Sequence, residues 1–313
     1  MEIVWNLNDY IADAPTIVTV GTFDGVHLGH QQLISSVAEK ARSAGLRSLV
    51  VTFEPPPQIV VQRTQESTFQ LLTTIEEKIV HLRRIGIDSL LIMPFSPSFA
   101  DMEAEQYVDQ VLLGRLRMAE IFIGRSHTFG RSRSGNAALL KNLAHRSHFS
   151  VSIVEPVYHD GEVISSTRIR SLLTERRIEE AAQLLGRPYS LQGRVIRGDG
   201  RGRQLGFPTV NLKPYSIHKL VPQHGIYFSR FHWQEVHLPA VTYIGMRPTF
   251  GLNELVIETH VLDFEEEMAG REITIELLQF LRDDIQFETT QQLIDQIHQD
   301  VAKSKELFKT SSR

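Results

Sequence analysis

The spacing of apolar residues changes its period once along the chain, near residue 186, and this constrains the fold more than any other feature. Ile17 to Val20 is a short β-branched run, and Leu33, Ile34, Val37, Ala38 and Ala41 then recur at helical spacing. That predicts a strand followed by a helix from about Gly29 to Ala44. Gly45 suits the position just after a helix, and Ser48 to Phe53 reads as a buried strand, which completes a parallel, right-handed strand-helix-strand unit. The pattern repeats: Ile75, Ile79, Leu82 and Ile85 mark a helix, Leu90 to Met93 a strand, Ala104 to Leu113 a helix, Ile121 to Ile123 a strand and Val151 to Val154 one more. From about Gly193 the helices stop. Short alternating strands at Val195, Ile226 to Phe231, Ala240 to Tyr243, Val256 to Leu262 and Ile273 to Leu281 follow, separated by turns rich in glycine and proline. Leu293, Ile294, Ile297, Val301 and Phe308 return to helical spacing at the end. The expectation is an α/β domain with a Rossmann-like parallel sheet over 1-186, then a small antiparallel barrel with a C-terminal helix over 187-313. A helical pattern ending at Gly186 to Pro188 marks the boundary, and 313 residues leave room for two cores.

Composition removes several classes of function. Hydrophobic residues at 42% and charged residues at 22% indicate a folded chain rather than disorder or a membrane protein. The start MEIVWNLNDY shows no basic segment leading into an apolar one, so a cytoplasmic location is expected, with no membrane partner. The absence of cysteine excludes disulfides, thiolate nucleophiles and cysteine-bound metal centres. A net charge of -4 argues against nucleic acid as a partner, while local basic loops can still receive a small anion.

Between the first strand and the first helix runs Gly21-Thr22-Phe23-Asp24-Gly25-Val26-His27-Leu28-Gly29-His30. Glycines let the backbone approach a ligand, and a helix N-terminus offers unpaired N–H groups and a positive dipole end, so the turn suits a triphosphate. Two histidines there can donate to its oxygens. The plain alternative is a glycine turn with incidental histidines. A second cluster, Ile164-Ser165-Ser166-Thr167-Arg168-Ile169-Arg170, combines hydroxyls that cap a helix with arginines that hold phosphate. Alone it reads as a cap with surface arginines.

Residues 193-211 form a loop rich in glycine and arginine that ends in LGFPTVN. Its glycines give main-chain N–H groups access to phosphate, and Gly202, Arg203, Gly206, Phe207, Pro208 and Thr209 are the residues expected to bind ATP. Thr209 and Asn211, two apart on an extended segment, point the same way and offer neutral oxygens to Mg²⁺. Without the last seven residues a flexible basic loop would be the better reading. Further on lie Tyr243-Ile244-Gly245-Met246-Arg247-Pro248-Thr249-Phe250-Gly251 and Glu258-Thr259-His260. Glu258 by itself reads as the solvent-facing partner in an alternating strand.

Over residues 1-185, GTFDGVHLGHQ, VTFEPPP, LLTTIEEK, PFSPSFA and ISSTRIR resemble the nucleotidyltransferase superfamily. More narrowly, they resemble the FMN adenylyltransferase half of bacterial bifunctional riboflavin kinase/FAD synthetases. The resemblance implies that His27 and His30 stabilise the transition state and that Gly21, Phe23, Asp24 and Gly29 shape the ATP site. It gives Ser166, Thr167 and Arg170 the phosphates. Two segments depart from the family: Phe53-Glu54-Pro55-Pro56-Pro57 has proline where a histidine is usual, and Ser126-His127 replaces an acid or amide followed by an aromatic. The second half resembles the riboflavin kinase domain over nearly its full length, including Phe280-Leu281-Arg282, with Ala269-Gly270 in place of Tyr-Gly. The resemblance makes Glu258 the general base that takes the proton of the terminal ribityl hydroxyl. The expected activity is riboflavin and ATP to FMN, then FMN and ATP to FAD and pyrophosphate, with Mg²⁺ in both steps. The alternatives are a riboflavin kinase with an altered first domain, or a flavin-sensing regulator on the same folds.

Overall fold

The computed structural model describes residues 1–61, 69–249 and 252–311. Phe250 and Gly251 of the Tyr243 to Gly251 motif therefore lie outside the described residues. The chain divides into two compact units, Met1–Ser166 and Thr167–Arg313.

In the first unit, six strands form one parallel sheet: β1 Glu2–Val4, β2 Thr16–Val20, β3 Arg47–Phe53, β4 Ser89–Met93, β5 Met118–Gly124 and β6 Ser150–Val154. Their order is β1-β4-β3-β2-β5-β6. Helix α1 spans Leu28–Ala44, α2 Pro57–Val61, α3 Ile75–Ile85, α4 Pro97–Ala100, α5 Ala104–Gln106 and α6 Ala137–Ser147. A hairpin of β7 Tyr158–His159 and β8 Glu162–Val163 follows β6. Adjacent residues of a strand face opposite sides, and the core divides accordingly. Ile17, Val50 and Leu90 pack with Ile34, Val37 and Leu82 of α1 and α3, whereas Val18, Leu49 and Leu91 pack with Val108, Val111 and Leu140. The continuous apolar strands TIVTV and SLLIM are buried on both sides because helices cover both faces of the sheet. The helix expected over Ala104 to Leu113 is α-helical only to Gln106 and continues as a π-helical turn over Tyr107–Leu113. Helix α6 and edge strand β1 are elements that the apolar periodicity does not announce.

Sheet order reverses direction between β2 and β5. Open parallel sheets bind ligands in the crevice beyond the carboxyl ends of strands at such a reversal, and the Gly21 to His30 turn leaves β2 at that end.

The second unit opens with α7 Ser166–Thr174, whose first residue belongs to the preceding unit, and α8 Ile178–Leu185. Strands β9 Tyr189–Ile196, β10 Val210–Pro214, β11 Gly225–Trp233, β12 Val236–Thr249, β13 Leu252–Val261 and β14 Glu272–Arg282 close a barrel in the order β10-β13-β12-β11-β14-β9, every pairing antiparallel. A one-turn helix α9, Arg201–Gln204, interrupts the strands where none was expected, and α10 spans Thr290–Ser311. Helix α8 packs on β14 and β9, so it counts with the barrel although its sequence pattern continues that of the first domain. Tyr227, Phe231, Ile275 and Leu277 fill the barrel interior. Hydroxyls of Ser229, Thr242 and Thr259 cross three strands there at 2.7 and 2.9 Å, satisfying one another away from water. Val301 of α10 packs on Ile226, Val241 and Leu262 on the outside. Arg282 joins the same helix to β14 through a two-pronged contact with the buried Asp300, 2.7 Å at the shortest.

Candidate active sites

The turn after β2 is held in an unusual backbone shape. Phe23 and Val26 have φ of 46° and 40°, a region that costs a side-chain-bearing residue about 1–3 kcal/mol. What holds it is Asp24, buried at 4% exposure, whose carboxylate accepts from the N–H groups of Leu72 at 2.9 Å and Thr73 at 3.1 Å. Gly25 N–H donates to the Thr73 hydroxyl at 3.0 Å. Asp24 thus shapes the turn from inside. A side chain at Gly21 would strike the Phe23 ring at 2.9 Å, and one at Gly29 would press on the His27 ring at 3.2 Å, so at either position a ring would have to shift.

His27 caps α1, its Nδ1 accepting from the His30 N–H at 3.3 Å, which leaves the ring proton on Nε2. The two imidazoles stack with centroids 3.6 Å apart, and His30 meets the Phe23 ring edge-on. His30 Nδ1 is buried without a hydrogen-bond partner. Burial, then the neighbouring His27 and Lys78, hold the His30 pKa well below the ordinary histidine value, so the ring is neutral near pH 7. Ser166 donates its hydroxyl to the Asp24 carbonyl at 2.8 Å, which brings the start of the second cluster onto the glycine turn. Thr167 and Arg170 follow within α7.

An aromatic row that the sequence reading missed runs beside these carboxyl ends: Phe53, Phe95, Phe99, Tyr107, Phe129 and His127, with successive centroids 5.5 to 5.9 Å apart. Burial pushes His127 down to about 4 and the Tyr107 hydroxyl up. The signal was the recurrence of aromatics just past strand ends. Pro56 is buried and Ser126 exposed.

In the barrel, register decides. Asn211 of β10 pairs directly with Glu258 of β13, and Tyr243 of β12 pairs with Glu258 on the other side. Thr259 points inward, so Asn211, Glu258 and Tyr243 share the outward face of three adjacent strands. Facing residues of this kind have Cβ atoms about 5 Å apart. The glycine loop comes over them: a side chain at Gly198 would collide with the Asn211 amide, and one at Gly202 would lie 3.2 Å from the Thr209 hydroxyl. The Phe207 N–H closes α9 on the Gly202 carbonyl at 2.8 Å, while Arg203 lies within α9 and Gly206 turns with a φ of 88°. His260 contacts the Pro208 carbonyl through Nδ1 at 2.9 Å, and Phe207 is packed between His260 and His298. The oxygens of Thr209 and Asn211, kept clear by glycines, are hard neutral donors and fit Mg²⁺. Among the described residues there is no cluster of three His, Asp or Glu side chains able to hold a metal.

A parallel α/β unit with stacked imidazoles at a helix start, joined to a closed barrel with a glycine loop over a carboxylate, defines a two-domain nucleotide-dependent transferase. The FAD synthetase family model matches residues 10–168 and the riboflavin kinase model residues 185–308. The bifunctional riboflavin kinase/FMN adenylyltransferase of Listeria monocytogenes is 34% identical over 96% of this chain and 95% of its own. That of Escherichia coli K12 is 32% identical over 93% and 92%. A solved structure titled macrolide-efflux protein, from Streptococcus pneumoniae, superposes with a TM-score of 0.88 at 30% identity, covering 97% of this chain and 99% of that one. The chain belongs to the bifunctional riboflavin kinase/FMN adenylyltransferase family. Among the described residues no helix is long and apolar enough to cross a membrane.

Proposed function

We propose that the chain carries out both reactions that its family name states. Residues 187-313 transfer the γ-phosphoryl group of ATP to riboflavin, giving FMN. Residues 1-186 transfer the AMP group of a second ATP to FMN, giving FAD and pyrophosphate. The observation that carries the kinase reading is the pairing of Asn211 with Glu258 beneath the glycine loop. There Glu258 accepts the proton of the terminal ribityl hydroxyl as that oxygen attacks the γ-phosphorus, and Gly202, Arg203, Gly206, Phe207 and Pro208 form the ATP loop. Thr209 and Asn211 would hold Mg²⁺, which offsets charge on the phosphate oxygens when bound.

The adenylyltransferase reading rests on the His27–His30 pair at the start of α1. His27 Nε2–H and the helix N-terminus donate to phosphate oxygens as the FMN phosphate attacks the α-phosphorus. No side-chain nucleophile is needed. Ser166, Thr167 and Arg170 complete the phosphate contacts, and the aromatic row past β3 and β5 suits a flat flavin ring. The partners are riboflavin, FMN, FAD and ATP. ATP as the co-substrate of both reactions suits a cytoplasmic location.

Chromatography of the products made from Mg-ATP with riboflavin, and then with FMN, tests both halves. Glu258→Ala is expected to abolish FMN formation and leave adenylylation of supplied FMN, and His30→Ala to do the reverse. Loss of both activities from either change, in a folded protein, would contradict two separate sites.

A further inference from the structure

Lys78 is an anomaly that neither reaction has used. It lies on α3 at 2% exposure, three residues after Ile75 and four before Leu82, in the stripe that faces the core. Its ammonium donates to the Thr22 carbonyl at 2.7 Å and to the Thr52 hydroxyl at 3.2 Å. Thr52 in turn donates to the same carbonyl at 3.2 Å. Groups from α3 and β3 therefore converge on one peptide of the Gly21 to His30 turn. The C=O and N–H of a trans peptide point opposite ways, so pinning the Thr22 carbonyl turns the Phe23 N–H away from the ammonium. A buried cation is costly, and a neutral amide would supply the same hydrogen bond with less desolvation. The charge itself calls for a reason. Burial lowers the Lys78 pKa while the carboxylates of Asp24 and Glu54 raise it, and its charge in turn lowers that of His30.

We propose that Lys78 is a positioning residue for adenylyl transfer, its buried positive charge presetting the Gly21 to His30 turn for a polyanionic nucleotide that it does not touch. This rests on the reading of that turn as the adenylyl-transfer site. The ammonium fixes the Thr22 peptide and adds a positive field behind the helix start, where the phosphate charges arrive.

The test uses the full chain. Lys78→Gln keeps an N–H donor and removes the charge, Lys78→Met removes both, and Thr52→Val removes only the hydroxyl. FAD formation from FMN is followed against ATP concentration, with FMN formation from riboflavin as a control in the same molecule and circular dichroism as a check on folding. Lys78→Gln and Lys78→Met are both expected to lose about tenfold to a hundredfold in kcat/KM for ATP, and Thr52→Val only about twofold. The His30 ring, followed by NMR, is expected to titrate at higher pH in Lys78→Gln, because a positive neighbour has gone. Wild-type kcat/KM in Lys78→Gln, or an unmoved His30 titration, would overturn the role of charge. Should the neutral variants not fold, Lys78→Arg decides: it keeps the charge and is expected to retain at least about a third of the wild-type kcat/KM. A folded Lys78→Arg protein that has lost FAD formation would sink the proposal. Failure of the underlying reading looks different, since His30→Ala would then still make FAD.

Discussion

Single residues show how burial sets protonation in the first unit. His30 and His127 are both kept neutral by their surroundings, and for His127 the pKa is depressed to about 4 from 6.5. A histidine depressed in the folded state stabilises fully above the unfolded value, because neither state then binds the proton. As pH falls from 6.5 to about 4, the unfolded chain protonates first and stability is lost, levelling off once the folded ring also protonates. At pH 5 the loss from this ring is about 2 kcal/mol. His127→Phe is therefore expected to lose about 2 kcal/mol less than the parent between pH 7.5 and pH 5, read by urea unfolding with Trp5 as the reporter in a Trp233→Phe background. An unchanged pH dependence would show that His127 is more hydrated than its burial implies. His27, His30, Thr209, Asn211 and Glu258 could be proposed from sequence because each lies in a dense motif, whereas Lys78 passed as one charge among several in LLTTIEEK. Its position at core spacing between Ile75 and Leu82 was the available signal.

At the scale of elements, the strands and helices fix the shape of the turns and loops between them. Helix α3 illustrates this: its start is closed by a reciprocal cap, Thr74 accepting from the Glu77 N–H and Glu77 accepting from the Thr74 N–H. The cap sets the angle at which Thr73 and Lys78 meet the glycine turn. In the barrel, the loop before β10 depends on the absence of side chains at Gly198 and Gly202. Gly198→Ala drives a methyl group into the Asn211 amide. We expect it to lower kcat/KM for riboflavin phosphorylation by about a hundredfold, since a shift of 1 Å in a positioned group has that effect. FAD formation from FMN should be unaltered in the same preparation. An equal loss of both reactions would instead indicate general misfolding. Helix α9 and the π-helical turn at Tyr107–Leu113 were unreadable because each is defined by how hydrogen bonds close locally, not by an apolar period.

For the whole molecule, the product of the second unit is the substrate of the first. If FMN passes through solution, Glu258→Ala and His30→Ala mixed together are expected to convert riboflavin to FAD, although neither variant does so alone. Recovery should rise with the concentration of the partner variant, measured by the rate of FAD appearance. A mixture that makes FMN but no FAD, while Glu258→Ala still adenylylates supplied FMN, would show that FMN is not released from the chain that forms it.

Periodicity carried the two fold classes, because a period of 3.6 or 2 in the apolar residues dictates which surfaces must be buried. It carried most strand positions for the same reason, and dense motifs carried the family resemblance of both halves. Tertiary structure alone decided the rest. Strand β1 joins the sheet edge beside β4, and α8 packs with the barrel, because long-range pairing sets those neighbours. The register of β10 against β13 sets Asn211 beside Glu258, since a slip of one residue would have turned either side chain to the other face. Lys78 became a buried cation only when α3 docked on the turn after β2, and desolvation, which no local sequence encodes, then made its charge matter.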